Sequence, residues 1–101
     1  TIVADINAGA DNEAVANMVV AEAMKKFKRI DVLINNAQAS ASGVTLENHT
    51  TDQFNLAMYS GLYASFYYMK ACYPYLKEKR SYEVCCNTGY DRQYVKLIAL
   101  F

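Results

Sequence analysis

Two asparagines and one carboxylate carry the chemistry most readily read from this chain. Asn35 and Asn36 close the run Val32-Leu33-Ile34, and Ala37 follows them. That run is short, apolar and rich in β-branched residues, the pattern of a strand buried on both faces of a parallel sheet. In an open α/β sheet, ligands bind just past the carboxyl ends of the strands, so Asn35, Asn36 and Ala37 are candidate binding residues. Asp5 lies near the end of a second strand-like stretch, residues 1–6 (Thr-Ile-Val-Ala-Asp-Ile). A carboxylate there suits capping the turn at residues 7–10. His49 is the single histidine, so a histidine-based triad or metal cluster has little to draw on.

The elements that must position these residues follow from periodicity. Asp11 or Asn12 can cap a helix running to about Phe27, with Val15, Met18, Val19, Ala23 and Phe27 on one apolar face. Lys25, Lys26, Lys28 and Arg29 crowd its carboxyl end, where cations complement the helix dipole. Residues 37–47 form a loop of small and polar side chains. Thr50-Thr51-Asp52-Gln53 spells a capping box and opens the longest element, a helix over 51–79. Phe54, Met58, Leu62, Phe66, Met69, Tyr73 and Leu76 predict one apolar stripe on it, and Leu56, Tyr59, Tyr63 and Tyr67 a second. A helix apolar on two sides is expected to pack on the sheet with one face and on something else with the other. Pro74 lacks a backbone donor and is expected to kink the last turn. Residues 82–87 (Tyr-Glu-Val-Cys-Cys-Asn) read as the next parallel strand, reached by the long helix as a crossover. Residues 94–101 suit either a strand or a buried helical turn.

Composition sets the outer bounds. At 101 residues the chain is one domain, small for a doubly wound sheet, and 53% apolar content is ample for a core. A formal net charge of zero gives no electrostatic case for nucleic acid or an anionic membrane. Polar residues interrupt every apolar stretch, so no membrane-spanning helix is expected. A signal peptide is not expected either, because no charged segment leads into an apolar one at the start. Three cysteines (Cys72, Cys85 and Cys86) are odd in number and read as free thiols in a reducing cytoplasm.

Asn35-Asn36-Ala37-Gln38 resembles the Asn-Asn-Ala-Gly signature of the short-chain dehydrogenase/reductase family, with Gln38 where the family has glycine. The stretch 69–79 (Met-Lys-Ala-Cys-Tyr-Pro-Tyr-Leu-Lys-Glu-Lys) resembles the family's sequence at the end of the same helix. The resemblance implies an α/β fold with a doubly wound, Rossmann-like parallel sheet, apparently incomplete, and a partial dinucleotide-binding domain over 1–101. It implies an oxidoreductase that moves hydride between NAD(P) and a small-molecule alcohol or carbonyl substrate. Asp5 then takes the place of the second-strand carboxylate that holds the adenosine ribose, which favours NAD with NADP possible, since a carboxylate repels a 2′-phosphate. Asn35, Asn36 and Ala37 become cofactor-binding residues, and Thr88 the candidate catalytic hydroxyl, near the family's serine. The family also implies a homo-oligomer through helix 51–79, while the cytoplasmic expectation comes from the free thiols.

Several features depart from the family pattern. Gly61 aligns with an asparagine that supports the family's proton relay. The glycine-rich phosphate loop is not found, and Asp5 stands too close to Asp31 for the family's intervening helix and third strand. Tyr73 and Lys77, like Tyr75 and Lys79, have the spacing of the family's Tyr-x-x-x-Lys pair but precede the strand that should carry the serine. These departures leave a second expectation, a non-catalytic remnant acting as a helix-mediated dimerisation or interaction module.

Overall fold

In the computed structural model, which describes residues 2–5, 9–78 and 83–86, a 3-10 turn at Gly9–Asp11 leads into α1, Asn12–Phe27. The expected side-chain cap is not made. Asp11 sits at φ −89° and ψ 0°, at the end of the 3-10 turn rather than in the extended conformation a capping side chain needs. The buried positions of α1 are Asn12, Ala16 and Val20, a row offset from the predicted Val15–Met18–Val19 face, and Met18 is exposed. Both rows are apolar enough to be buried. Small Ala16, fully covered, allows close approach of the second long helix, which the bulkier row would not.

Lys28 ends α1 in the left-handed region at φ 62°, donating its backbone N–H to the Met24 carbonyl at 2.9 Å. A side chain costs about 1 kcal/mol or more there, and glycine does not. Lys28→Gly is therefore expected to stabilise the chain by about 1 kcal/mol, read as a higher denaturation midpoint with an unchanged slope. Arg29 then donates two hydrogen bonds to the Asp31 carboxylate, each 2.8 Å, across the turn into β1.

The strand β1, Val32–Asn35, pairs in parallel with β2, Glu83–Cys86, in the register Val32 to Glu83 through Asn35 to Cys86. This is the adjacent parallel pair expected from the two apolar runs. Among the described residues the sheet has these two strands. The expected strand at 1–6 is corrected over its described part: Ile2–Asp5 has no strand structure, and Val3 is 90% exposed. A strand exists through its ladder partners, and the local sequence of this stretch says nothing about whether one is within reach.

The connection from β1 to β2 carries a 3-10 turn at Leu46–Asn48 and then the long helix. The capping box forms as predicted. Thr50 Oγ1 accepts from the Gln53 backbone N–H at 3.2 Å, and Gln53 Oε1 accepts from the Thr50 N–H at 3.0 Å. The helix runs through Pro74, and it is built as α2 (Thr51–Ala57), a π turn (Met58–Tyr63) and α3 (Ala64–Leu76). Its inward side carries Ser60, Ala64, Cys72 and Leu76. Most of the first apolar stripe turns elsewhere: Phe54, Leu62, Phe66 and Tyr73 are 56, 62, 52 and 58% exposed, and in the second stripe Tyr63 is exposed while Leu56, Tyr59 and Tyr67 are half-buried. Leu76 alone of the first stripe is fully buried, with Met69 packed partly against the core. The core itself joins Val20 of α1, Ile30 and Leu33 around β1, and Cys72 and Leu76 of α3. A hydrogen-bonded ion pair from Lys70 to Glu13, 2.6 Å long and exposed, ties α3 to α1.

Candidate functional site

Asn35 is the last residue of β1 and stands in register with Cys86, the last residue of β2. Two parallel strands thus end together, and Asn36 and Ala37 leave the sheet at its carboxyl edge. Asn35 and Asn36 are half-buried, Ala37 exposed, and both asparagines engage in polar contacts. Asp5 is exposed and also has an interaction partner. Thr88, like the stretch 94–101 and Lys79, lies outside the described residues. The structure therefore brings Asn35, Asn36 and Ala37 to one edge.

The loop leaving that edge is pinned by a serine that sequence reasoning did not single out. Ser60 is fully buried in the π turn, and its hydroxyl accepts from the Ala39 backbone N–H at 2.9 Å. The same hydroxyl lies 2.6 Å from the Leu56 carbonyl and 3.1 Å from that of Ala39, either of which can accept its proton. The π turn also receives α1. Asn12, 2% exposed, donates from Nδ2 to the Tyr59 carbonyl at 2.8 Å. That carbonyl also accepts the Ala64 N–H, five residues on, the bond that makes the turn π rather than α. Asn12 Oδ1 is buried without a hydrogen-bond partner among the described residues.

Next to Ser60, Gly61 leaves room that Gln38 fills. A Cβ on residue 61 would stand 3.1 Å from Gln38 Nε2 and 3.2 Å from its Cδ. The one available signal for this hub was Ser60-Gly61, two poor helix formers in the middle of an apolar helix. Asn12 read as a cap because Asn at a helix start usually is one.

Of the two Tyr-x-x-x-Lys spacings, that of Tyr75 ends on Lys79, outside the described residues, and that of Tyr73 and Lys77 lies on the exposed surface of the chain. Lys77 Nζ sits 5.7 Å from the centroid of the Tyr73 ring, a surface cation–π contact. Cys72 is a free thiol whose burial pushes its pKa up to about 11, so at neutral pH it is a packing group and not a nucleophile. Burial likewise raises the Tyr68 pKa above its ordinary value, with the Cys72 charge adding to the effect. Among the described residues no group of three or more His, Cys, Asp or Glu side chains could hold a metal, and no helix is long and apolar enough to cross a membrane.

Similarity to known proteins follows the same segment of chain. The family model described as enoyl-(acyl carrier protein) reductase matches residues 2–95. A 12α-hydroxysteroid dehydrogenase from a Clostridium species is 55% identical over 74 residues, 73% of this chain and 29% of that protein. The chain thus spans less than a third of that relative. Among solved structures, ElxO with NADP bound superposes with a TM-score of 0.67 at 26% identity, over 79% of this chain and 31% of the other. A blue fluorescent protein from a metagenomic library, in complex with NADPH, gives 0.63 at 26% identity, over 72% and 28%.

Proposed function

The chain belongs to the short-chain dehydrogenase/reductase family, and from that premise we propose that it serves hydride transfer between NAD(P) and a small-molecule alcohol or carbonyl. The observation that carries this reading is the 55% identity to a 12α-hydroxysteroid dehydrogenase. It makes a steroid hydroxyl or ketone the first substrate class to test. The residues at the carboxyl edge of β1 suit the ribose side of a dinucleotide. Asn35 and Asn36 carry amides that both donate and accept, and a loop held by Ser60 keeps the backbone after them in place. When bound, the nicotinamide supplies the hydride acceptor or donor. The protein's own part is to hold the ribose hydroxyls and to offer a hydroxyl to the substrate oxygen, a role assigned to Thr88.

Asp5 is the proposed ribose-binding carboxylate, which favours NAD; NADP is the alternative. The charge-assisted hydrogen bonds it would make are worth about 1.5–3 kcal/mol, roughly a 10- to 150-fold change in affinity. Asp5→Ala is expected to weaken NAD+ binding on that scale while leaving NADP+ binding unchanged or improved. Calorimetric titration of both dinucleotides checks this, and equal losses for both would remove Asp5 from the site.

Self-association through helix 51–79 belongs to the same proposal. Phe54, Leu62, Phe66 and Tyr73 form a row of exposed large apolar side chains on that helix. A second copy presenting the same row would cover it, as a two-fold interface requires. The free thiol of Cys72 suits a cytoplasmic setting.

A further inference from the structure

The π turn and the loop after β1 meet at one close contact, between Gly61 and Gln38. The Cγ, Cδ and Nε2 atoms of Gln38 lie 3.4, 3.2 and 3.1 Å from the position a Cβ would take on residue 61. Gly61 has no positive φ, so its backbone does not require glycine. In a helix interior, glycine is the worse choice over alanine by about 1 kcal/mol. What calls for glycine is the volume filled by Gln38. One residue further along the loop, the Ala39 N–H bonds the buried Ser60 hydroxyl at 2.9 Å. Neighbouring residues of the loop are therefore held by neighbouring residues of the turn, one through a hydrogen bond and one through shape.

We propose that Gln38 and Gly61 form a steric latch, with Gln38 a positioning residue that fixes the loop 37–39 at the carboxyl edge of the sheet. The latch acts through the loop backbone, which the proposed function places against the ligand, and in that respect it rests on that reading. Its stability consequence does not. Alanine at 61 makes the exposed Gln38 side chain give by a few tenths of an ångström, and the latch requires the loop backbone to give with it. With Gln38 shortened to alanine the space is open, and alanine at 61 then gains only its better helical propensity.

The test is a double-mutant cycle on the full chain using Gly61→Ala and Gln38→Ala, read by thermal melting and by backbone amide NMR. Gly61→Ala is expected to lower the melting temperature in the presence of Gln38 and to raise it in the Gln38→Ala background. The amide resonances of Ala37 and Ala39 should shift in the Gly61→Ala variant and return towards their Gln38→Ala positions in the double variant. The NAD+ dissociation constant should rise several-fold in Gly61→Ala and in Gln38→Ala alike and rise no further in the double variant, a non-additivity that a purely local helix defect would not show. An effect of Gly61→Ala with the same sign and size in both backgrounds, or unmoved Ala37 and Ala39 amides, would overturn the latch. If the unsubstituted chain binds neither NAD+ nor NADP+, the proposed function fails, and melting and NMR still decide the latch.

Discussion

Leu33→Ala is expected to lower the stability of the chain by about 2–5 kcal/mol, the range for removing a large aliphatic side chain from a packed core. Leu33 is 2% exposed and central in β1, and its cluster includes residues from α1 (Val20), from the turn before the strand (Ile30), and from α3 (Cys72 and Leu76). No other side chain of β1 is fully buried, so neighbouring residues of the strand have little means to fill the gap. A domain of this size holds about 5–15 kcal/mol in total. The substitution thus consumes a large part of the margin and should shift the urea midpoint strongly at constant slope. A loss below about 1 kcal/mol would mean that β1 does not anchor the core.

The exposed row on the long helix carries the second large effect. Leu62 and Phe66 are one turn apart on the same side and are 62% and 52% exposed. Anchor residues at the centre of an interface contribute about 2 kcal/mol or more each. Replacing both with glutamate adds like-charge repulsion across a two-fold contact. The double variant Leu62→Glu/Phe66→Glu is expected to weaken self-association by on the order of 100-fold or more. Sedimentation equilibrium measures this directly. An unchanged association constant would place the interface on another surface, and a monomer before substitution would remove the proposed pairing altogether.

The legible parts of the fold were those encoded by near neighbours in sequence. Thr50 and Gln53 are three residues apart, and their reciprocal capping bonds formed as read. The apolar runs at β1 and β2 gave a parallel pair because each strand carries an uninterrupted apolar run, residues 32–34 and 84–86. Burial within the helices was harder to read. Both α1 and the long helix are apolar on more than one side, and hydrophobicity then cannot rank the faces. Size did: Ala16, Ser60 and Ala64 face inward because helices approach closely over small side chains, while Phe54, Leu62 and Phe66 are left outside.

The candidate site divides in the same way. Asn35, Asn36 and Ala37 were readable because the end of an apolar strand can be located from its own residues. The groups that hold the loop were not, since Ser60 reaches Ala39 across 21 positions and Asn12 reaches Tyr59 across 47. Only a helix carrying Ser60-Gly61 at mid-length hinted at them. The strand expected at 1–6 failed over Ile2–Asp5 for a related reason, as β structure is a property of pairs.

The central claim is that the carboxyl edge of the parallel pair binds a nicotinamide dinucleotide. Backbone amide NMR during titration with NAD+ tests it most directly, with NADP+ as the parallel titration. Saturable shifts are expected at Asn35, Asn36, Ala37 and Ala39, with those of Lys25, Lys26 and Lys28 small. Shifts confined to those lysines would reveal charge attraction to the phosphates at the end of α1. That result, or no saturable shift at all, would contradict the assignment of the edge as the dinucleotide site.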